Sequence, residues 1–351
     1  MCKAGNEQPP SIIVFSNLRM IRSLSAASIC SILFGFLTAL HAENSLFNTV
    51  RVEGESYVNL SDFTRYYHLT VASQQNLDLI LSSKTRKMKL RINSRECTIN
   101  GIRIWLNAAP IDYHNGILLP DVDVRKTIDP ILRASSVARH EVHSVMIDPG
   151  HGGEDQGTLG YRKTQEKRFA LDLAERVEEF LKKEGFKTLM TRRDDHFISL
   201  EDRSEMTNSS DADIFVSIHL NSASPNTQAH GIETYCLTPV GLSSTGSIRR
   251  RLGIGDFGEE PGNRYDSHNM LLAYLVQQSI LKALPSTEDR GVKRARFFVI
   301  KATERPSILI ENGFLSNPAE EKLIMSEAYR EKLATAIAAG VKKFASIMNH
   351  D

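Results

Sequence analysis

The stretch Val145-Met-Ile-Asp148-Pro-Gly-His151-Gly-Gly153 closes a short apolar run with an acid, a Pro-Gly turn and a histidine set between glycines. Three later stretches also place a donor at the end of an apolar run or the start of a helix. They are Glu166-Lys167, Ser217-Ile-His219-Leu-Asn221 and Leu309-Ile-Glu311-Asn-Gly313. Two imidazoles and a carboxylate, with a fourth position left for water, form the ligand set of a catalytic zinc ion. A further carboxylate can take the proton of that water. Spacing alone does not choose the set: the sequence has no His-Glu-x-x-His run, and it holds 11 histidines. Taken singly, His151 and His219 read as hydrogen-bonded structural histidines, and Glu166 as an acid favoured at a helix start. Glu154 and Asp155 compete with Glu166 as the carboxylate beside His151. Glu311 is harder to dismiss, because a carboxylate ending an apolar strand is costly to bury unless paired or metal-bound. His196, His230, His268 and His350 lie in polar contexts and His68 and His114 are isolated, so these six read as surface or packing residues.

The elements that must position these residues follow from periodicity. Runs at Val145–Asp148, Lys187–Thr191, Ile214–Ile218, Ile232–Cys236, Phe297–Ile300 and Ile308–Glu311 read as strands. Between them lie helical patterns. Phe169, Leu173, Val177, Phe180 and Leu181 share one face of a helix that Gly185 suits as a C-cap. Further helices are expected over Ser199–Asn208, from about Ser267 and from about Glu327. Alternation of apolar strands and helices predicts an α/β, three-layer catalytic domain over 144–351 with a mostly parallel six-stranded sheet. The C-terminal ends of parallel strands share one edge, so donors distant in sequence can converge there. Thr238–Tyr265, rich in Gly, Ser and Arg, is a long loop in this scheme.

Residues 43–132 read differently, as short alternating strands at Leu79–Leu81, Met88–Ile92, Cys97–Ile99 and Ile102–Trp105. Asn100-Gly101 forms a hairpin turn between the last two. Short helical pieces fit Ser61–His68 and Val122–Leu132. The pattern predicts a small α+β accessory domain without a catalytic constellation, joined by a polar linker at 133–143. Residues 1–42 look like an export signal: Arg19 and Arg22 precede an apolar stretch from Leu24 to Leu40, and Leu40-His41-Ala42 offers a cleavage site before Glu43. Translation from Met20 would give the more usual signal. The apolar run is short for a membrane span, which favours cleavage over a retained anchor.

Composition is ordinary for a globular protein, with 41% hydrophobic and 24% charged residues. A net charge of +1 excludes a global drive toward nucleic acid or anionic membrane. Cys2 and Cys30 fall in the export segment, which leaves Cys97 and Cys236 in separate regions. That is neither a disulfide framework nor a cysteine zinc site, so any metal must use His and carboxylates.

The ordered motifs carry a resemblance. His151-Gly-Gly-x-Asp155-x-Gly157, Gln165-Glu166-Lys167, Ala212-Asp213-Ile-Phe-Val-Ser217-Ile-His219-Leu-Asn221, Gly231-Ile-Glu233-Thr-Tyr235 and Ile310-Glu311-Asn-Gly313-Phe314-Leu-Ser-Asn317 resemble the zinc-dependent N-acetylmuramoyl-L-alanine amidases, in the family's order. Arg192, Asp194, Leu200-x-x-Arg203 and Arg290-Gly291-Val-Lys293 match further positions. The resemblance spans about Ser144 to Met348. It implies His151, Glu166 and His219 as ligands of one zinc ion, and Glu311 as catalytic base and proton shuttle. It implies hydrolysis of the amide joining N-acetylmuramic acid to L-alanine in peptidoglycan, for wall remodelling, turnover or daughter-cell separation. Asn221 and Arg290 become candidates for substrate contact, and Asp155 for orienting the loop or a ligand histidine. The protein would be exported, periplasmic or in the cell envelope, with peptidoglycan as partner and a divisome or activator protein as a further one. Some family members carry a self-blocking helix. The loop 238–265 lacks apolar helical periodicity and is expected not to form one. Residues 43–132 loosely resemble the small copper amine oxidase-like domain attached to bacterial surface enzymes, which implies a non-catalytic module without copper. The competing readings are a zinc carboxypeptidase or endopeptidase acting on stem peptides, and an inactive wall-binding homologue.

Overall fold

The computed structural model describes residues 47–114, 116–246 and 257–350. The export segment and the centre of the 238–265 loop lie outside the described residues. Phe47–Asp351 form one compact unit.

The first part of this unit contains β1 (Thr49–Val52), β2 (Glu55–Asn59), helix α1 (Leu60–Tyr67), β3 (Thr70–Gln75), β4 (Asp78–Ser82), β5 (Lys87–Arg91), β6 (Glu96–Ile99), β7 (Ile102–Trp105), β8 (Ile111–Tyr113) and β9 (Gly116–Pro120). Asn100 and Gly101, at φ 49° and 86°, make the tight β6–β7 turn that two left-handed residues allow. A helical segment over residues 121–132 follows, with a π-turn at Val124–Ile128. The second part contains β10 (Ser144–Pro149), α2 (Glu166–Lys183), β11 (Lys187–Met190), α3 (Leu200–Asn208), β12 (Ile214–Asn221), β13 (Ile232–Leu237), α4 (Asp266–Ala283), β14 (Asp289–Ala295), α5 (Phe298–Lys301), β15 (Ser307–Phe314), α6 (Pro318–Met325) and α7 (Glu327–Asn349).

One sheet runs in the order β11-β10-β12-β15-β13-β14-β7-β6-β5-β4-β3, and β1-β2-β9-β8 form a second. β11, β10, β12 and β15 are parallel, β13 runs antiparallel to β15, and β14 is parallel to β13. The second part therefore supplies six strands, mostly parallel, as its alternation predicts. The sheet does not stop there. β7 pairs with β14 through Ile104 and Val292, so the strands of the first part extend the sheet that carries the candidate site. Trp105 Nε1 adds a hydrogen bond to the Arg290 carbonyl at 2.9 Å. The segment 133–143 is also anchored: His140 Nε2 lies 2.8 Å from the Asp213 carbonyl, and Val142 N donates to Asn349 Oδ1 at 2.8 Å.

Strand parity explains the three layers. Val145 and Ile147, Ile214, Val216 and Ile218, and Ile308 and Ile310 enter the main core under α2, α4 and α7. Met146, Phe215 and Leu309 point the other way, into a smaller core with Val299 and Ile300. Side chains alternate across a strand, so a continuous apolar run marks a strand covered on both faces.

One expected strand is corrected. Phe297–Ile300 is not a strand: Phe298–Lys301 form the short helix α5, whose Val299 and Ile300 fill the smaller core. The fifth strand is β14, the segment holding Arg290-Gly291-Val292-Lys293. Its charged residues are held by ion pairs and hydrogen bonds, which hide the apolar alternation of a strand, while a four-residue apolar run fits either state.

Candidate functional site

His151 leaves the end of β10, where every residue is buried. Gly150 is required because a Cβ there would lie 2.2 Å from the His219 ring. His151 sits in the left-handed region at φ 61°, a conformation that surrounding structure must enforce. Two buried arginines enforce it. Arg203 donates to the carbonyls of Pro149 and His151, both at 2.7 Å. Arg192 donates to the carbonyls of Pro149 and Gly150 at 3.0 and 2.7 Å. Buried Asp148 accepts from Arg203 at 2.6 Å, Thr191 at 2.7 Å and Ser217 at 2.7 Å. Burial alone would raise the Asp148 pKa, but Arg203 and the two hydroxyls hold the carboxyl below its ordinary value. The family positions Arg192 and Arg203 thus clamp the turn that presents His151.

His151, Glu166 and His219 converge. Each offers a ligand atom, and the three atoms lie within 4.8 Å of one another. His151 Nε2 is 3.0 Å from Glu166 Oε2, and His219 Nδ1 is 3.0 Å from Glu166 Oε1. Glu166 is 4% exposed and begins α2. Its carboxylate also accepts from Thr158 N at 2.8 Å and Leu220 N at 3.0 Å. Burial works to raise the Glu166 pKa, yet the hydrogen bonds and charges of the two histidines hold it far below the usual carboxylate range. On the far side of His151, Nδ1 lies 2.7 Å from Asp155 Oδ2, which directs Nε2 toward Glu166. Burial would lower the His151 pKa, but Glu166 and Asp155 outweigh it and raise it. Gly157 closes the cradle: a Cβ there would meet Glu166 Oε2 and the His151 ring at 2.6 Å. Glu154 is exposed and outside the cradle.

Glu311 stands beside this group. His219 and Glu311 are register partners on the parallel strands β12 and β15, and both share parity with the inward residues of the smaller core. Glu311 Oε2 is buried and has no hydrogen-bond partner among the described residues. Burial, then the negative charges of Glu166 and Glu233, push its pKa well above the ordinary value against the pull of Lys293.

Across β13, Glu233 is the register partner of Glu311 and is 2% exposed. Its two oxygens are fully engaged. Asn221 Nδ2 and Tyr235 OH each donate to Oε1 at 2.8 Å. Arg290 Nε donates to Oε2 at 2.8 Å, and Lys293 Nζ pairs with the same oxygen. Asn221 and Arg290, the candidates for substrate contact, are both anchored by Glu233. Arg290 also stacks over the Phe314 ring at 4.6 Å. Glu233 and Lys293 stand within matched motifs, and their spacing alone assigns them no role. The signal in the sequence is a glutamate inside an apolar run, two residues before a tyrosine, with Arg290, Lys293 and Arg294 on a later segment.

The remaining described histidines stay outside the cradle. His196 pairs with Asp194, His268 Nε2 meets the Ala138 carbonyl at 2.8 Å, and His230 Nδ1 meets the Gln228 carbonyl at 2.8 Å.

The donor chemistry fits a zinc ion. Two nitrogens and one carboxylate face one point, one histidine is fixed from behind by a carboxylate, and an orphaned buried carboxylate oxygen stands alongside. On an α/β sheet edge such a donor set suits metal-dependent hydrolysis. Residues 145–343 match the family described as N-acetylmuramoyl-L-alanine amidase, and the chain belongs to that family. The family is in general zinc-dependent and acts on peptidoglycan. The chain is 32% identical over 254 residues to the amidase AmiC of Escherichia coli, covering 66% of this chain and 59% of that relative. It is 34% identical over 215 residues to the amidase AmiA of Salmonella typhimurium, covering 56% of this chain and 74% of the relative. Among solved structures, an N-acetylmuramoyl-L-alanine amidase from Clostridium difficile 630 is similar at 33% identity and TM-score 0.48, over 58% of this chain and 97% of that one.

Proposed function

We propose that this protein hydrolyses the amide between the lactyl group of N-acetylmuramic acid and the L-alanine of the stem peptide. His151, Glu166 and His219 would hold one zinc ion. A bound zinc ion supplies Lewis acidity toward the scissile carbonyl and lowers the pKa of water to about 7. The chain's own residues do the rest. Glu311 takes the proton of the attacking water and delivers it to the departing L-alanine nitrogen. Burial and the nearby negative charges raise its proton affinity, which suits a group that must both accept and return a proton. Asp155 fixes the His151 ring, and Arg192 and Arg203 fix the turn beneath it. Asn221 and Arg290 serve as substrate-side residues whose positions Glu233 sets.

The observation that carries this reading is the juxtaposition of a three-donor cradle with one unpartnered buried carboxylate oxygen. The described residues of 47–132 contribute no donor to it, and this part acts as an accessory segment. Export to the periplasm or envelope, where peptidoglycan lies, belongs to the same proposal. So does an activator or divisome protein as a partner. Among the described residues no helix is long and apolar enough to cross a membrane.

Digestion of purified muropeptides, with products identified by mass, tests the proposal. Free stem peptide and peptide-free glycan are expected, abolished by chelation and by Glu311→Ala. Loss of terminal D-alanine alone would replace the amidase by a carboxypeptidase. Activity surviving both chelation and the substitution would end the metal mechanism.

A further inference from the structure

The loop that follows His151 serves two sites. Its first half, Gly157 and Thr158, walls the donor cradle. Its second half turns back, with Gly160 N donating to the Thr164 carbonyl at 2.8 Å and Lys163 N to the Gly160 carbonyl at 2.9 Å. Leu159 and Gln165 bridge as antiparallel partners. This return holds Lys163 in the left-handed region at φ 66°. The outer side of the return forms one wall of a groove of about 460 Å³, within the range of small-ligand pockets. The first turns of α2 and the residues around the α6–α7 junction form the others.

The lining is strongly biased in charge. It presents Arg162, Lys163, Arg168 and Arg330 against a single carboxylate, Asp172. Asp172 is already shared by Arg176 and Arg330. Arg162 has a weak contact at 3.5 Å with the fully buried Glu321, whose carboxylate also accepts from Arg162 N and Thr164 Oγ1. Arg168 and Lys163 are exposed and have no ion-pair partner among the described residues. Phe169 and Met325 add an apolar surface, and Arg330 stacks on the Phe169 ring at 5.4 Å. Uncompensated cations beside an apolar wall match a carboxylate carried on a peptide.

Position relates the groove to the site. Gln165 lines it, and the next residue is Glu166 of the cradle. An extended peptide advances about 3.4 Å per residue, which suits a contact in a groove whose lining begins one residue from the cradle.

We propose that this groove is a subsite for a carboxylate of the peptidoglycan stem peptide, with Arg168 and Lys163 as its recognising cations. The proposal rests on the amidase reading and adds which part of the substrate is read. Arg168→Glu, Arg168→Lys and Lys163→Ala are compared with the wild type on muropeptides with free stem carboxylates and on the same muropeptides converted to carboxamides. Arg168→Glu should raise KM about tenfold on the free acids, with kcat changed less than twofold. The difference should vanish on the carboxamides, and Arg168→Lys should restore most of the affinity. Raising salt should raise the wild-type KM on the free acids alone. Calorimetric binding of isolated stem peptide, weakened by Arg168→Glu, tests the groove without turnover, so it separates failure of the subsite from failure of the amidase reading. An unchanged KM on both substrates, or stem-peptide binding indifferent to Arg168→Glu, overturns the proposal. So does binding of a glycerol-phosphate polymer that Arg168→Glu abolishes while KM stays constant, which would reassign the groove to phosphate.

Discussion

Glu166 and Glu311 lie at the same sheet edge and are held in opposite ways. Glu166 is buried but receives two backbone N–H groups and faces two imidazoles, so its charge is stabilised. Glu311 has one buried oxygen with no partner among the described residues, and two neighbouring carboxylates repel its charge. The same side chain is thus held as an anion on α2 and pushed toward its protonated form on β15, the division that the proposed metal-donor and proton-carrier roles require. Environment, not residue type, divides the labour between paired carboxylates. Glu233 shows a third treatment. It is as buried as Glu166, but two cations and two neutral donors hold it below the ordinary carboxylate range against the cost of burial. That makes it a structural anion behind Glu311.

Substitutions should separate these roles. The largest effect is expected at Glu166→Ala, which removes the anionic donor and leaves Thr158 N and Leu220 N unsatisfied. Zinc binding should weaken by more than about 100-fold, with activity lost in parallel, as measured by zinc titration and muropeptide hydrolysis. Glu311→Gln should behave differently, lowering kcat by about 10³-fold while zinc stoichiometry stays at one per chain. Loss of zinc in that variant would merge the two roles and break the comparison. Asp155→Asn should cost about 10- to 100-fold in zinc affinity, because the His151 ring loses a charged partner and the single amide oxygen must replace two acceptors, for His151 and for Gly157 N. Glu233→Ala should leave zinc in place and lower stability by about 3–5 kcal/mol in denaturant unfolding, since Arg290 and Lys293 lose their shared anion.

The smallest effect concerns acid stability. Asp148 has a folded-state pKa below its unfolded value of about 3.9. Its contribution is therefore complete above that value and is lost as pH falls from about 4 through the depressed folded value. Urea unfolding at pH 5, 4 and 3 should show a shallower decline for Asp148→Asn than for the wild type. Equal slopes would remove Asp148 from the acid response.

Much of this site is legible in local sequence. Residues 145–148, 214–218 and 308–310 read as strands because apolar residues occupy both parities, which a sheet covered on both faces requires. The donors stand out because they interrupt such runs at their ends. α2, α3 and α7 read from helical periodicity or from terminal residues, with Ser199 capping α3 through its hydroxyl to Asp202 N at 3.0 Å. Less legible was β14. Its alternation is carried by charged side chains whose partners, Glu233 above all, lie on another strand. Phe297–Ile300 misleads for the converse reason: four apolar residues satisfy a buried strand and a single helical turn equally well. Arg192 and Arg203 were visible as matched positions, but their work is done on the carbonyls of residues 149–151, and backbone acceptors leave no trace in side-chain spacing.

The sequence by itself determined which residues could act and which elements carry them, because strand parity, helix caps and glycine turns are local properties. It did not determine who meets whom. Convergence of His151, Glu166 and His219 depends on β10 pairing with β12 and on α2 crossing their ends. The isolation of Glu311 depends on β13 arriving antiparallel to β15 with Glu233 in register. Those are long-range pairings, chosen by burial of whole faces, and only the assembled sheet decides them.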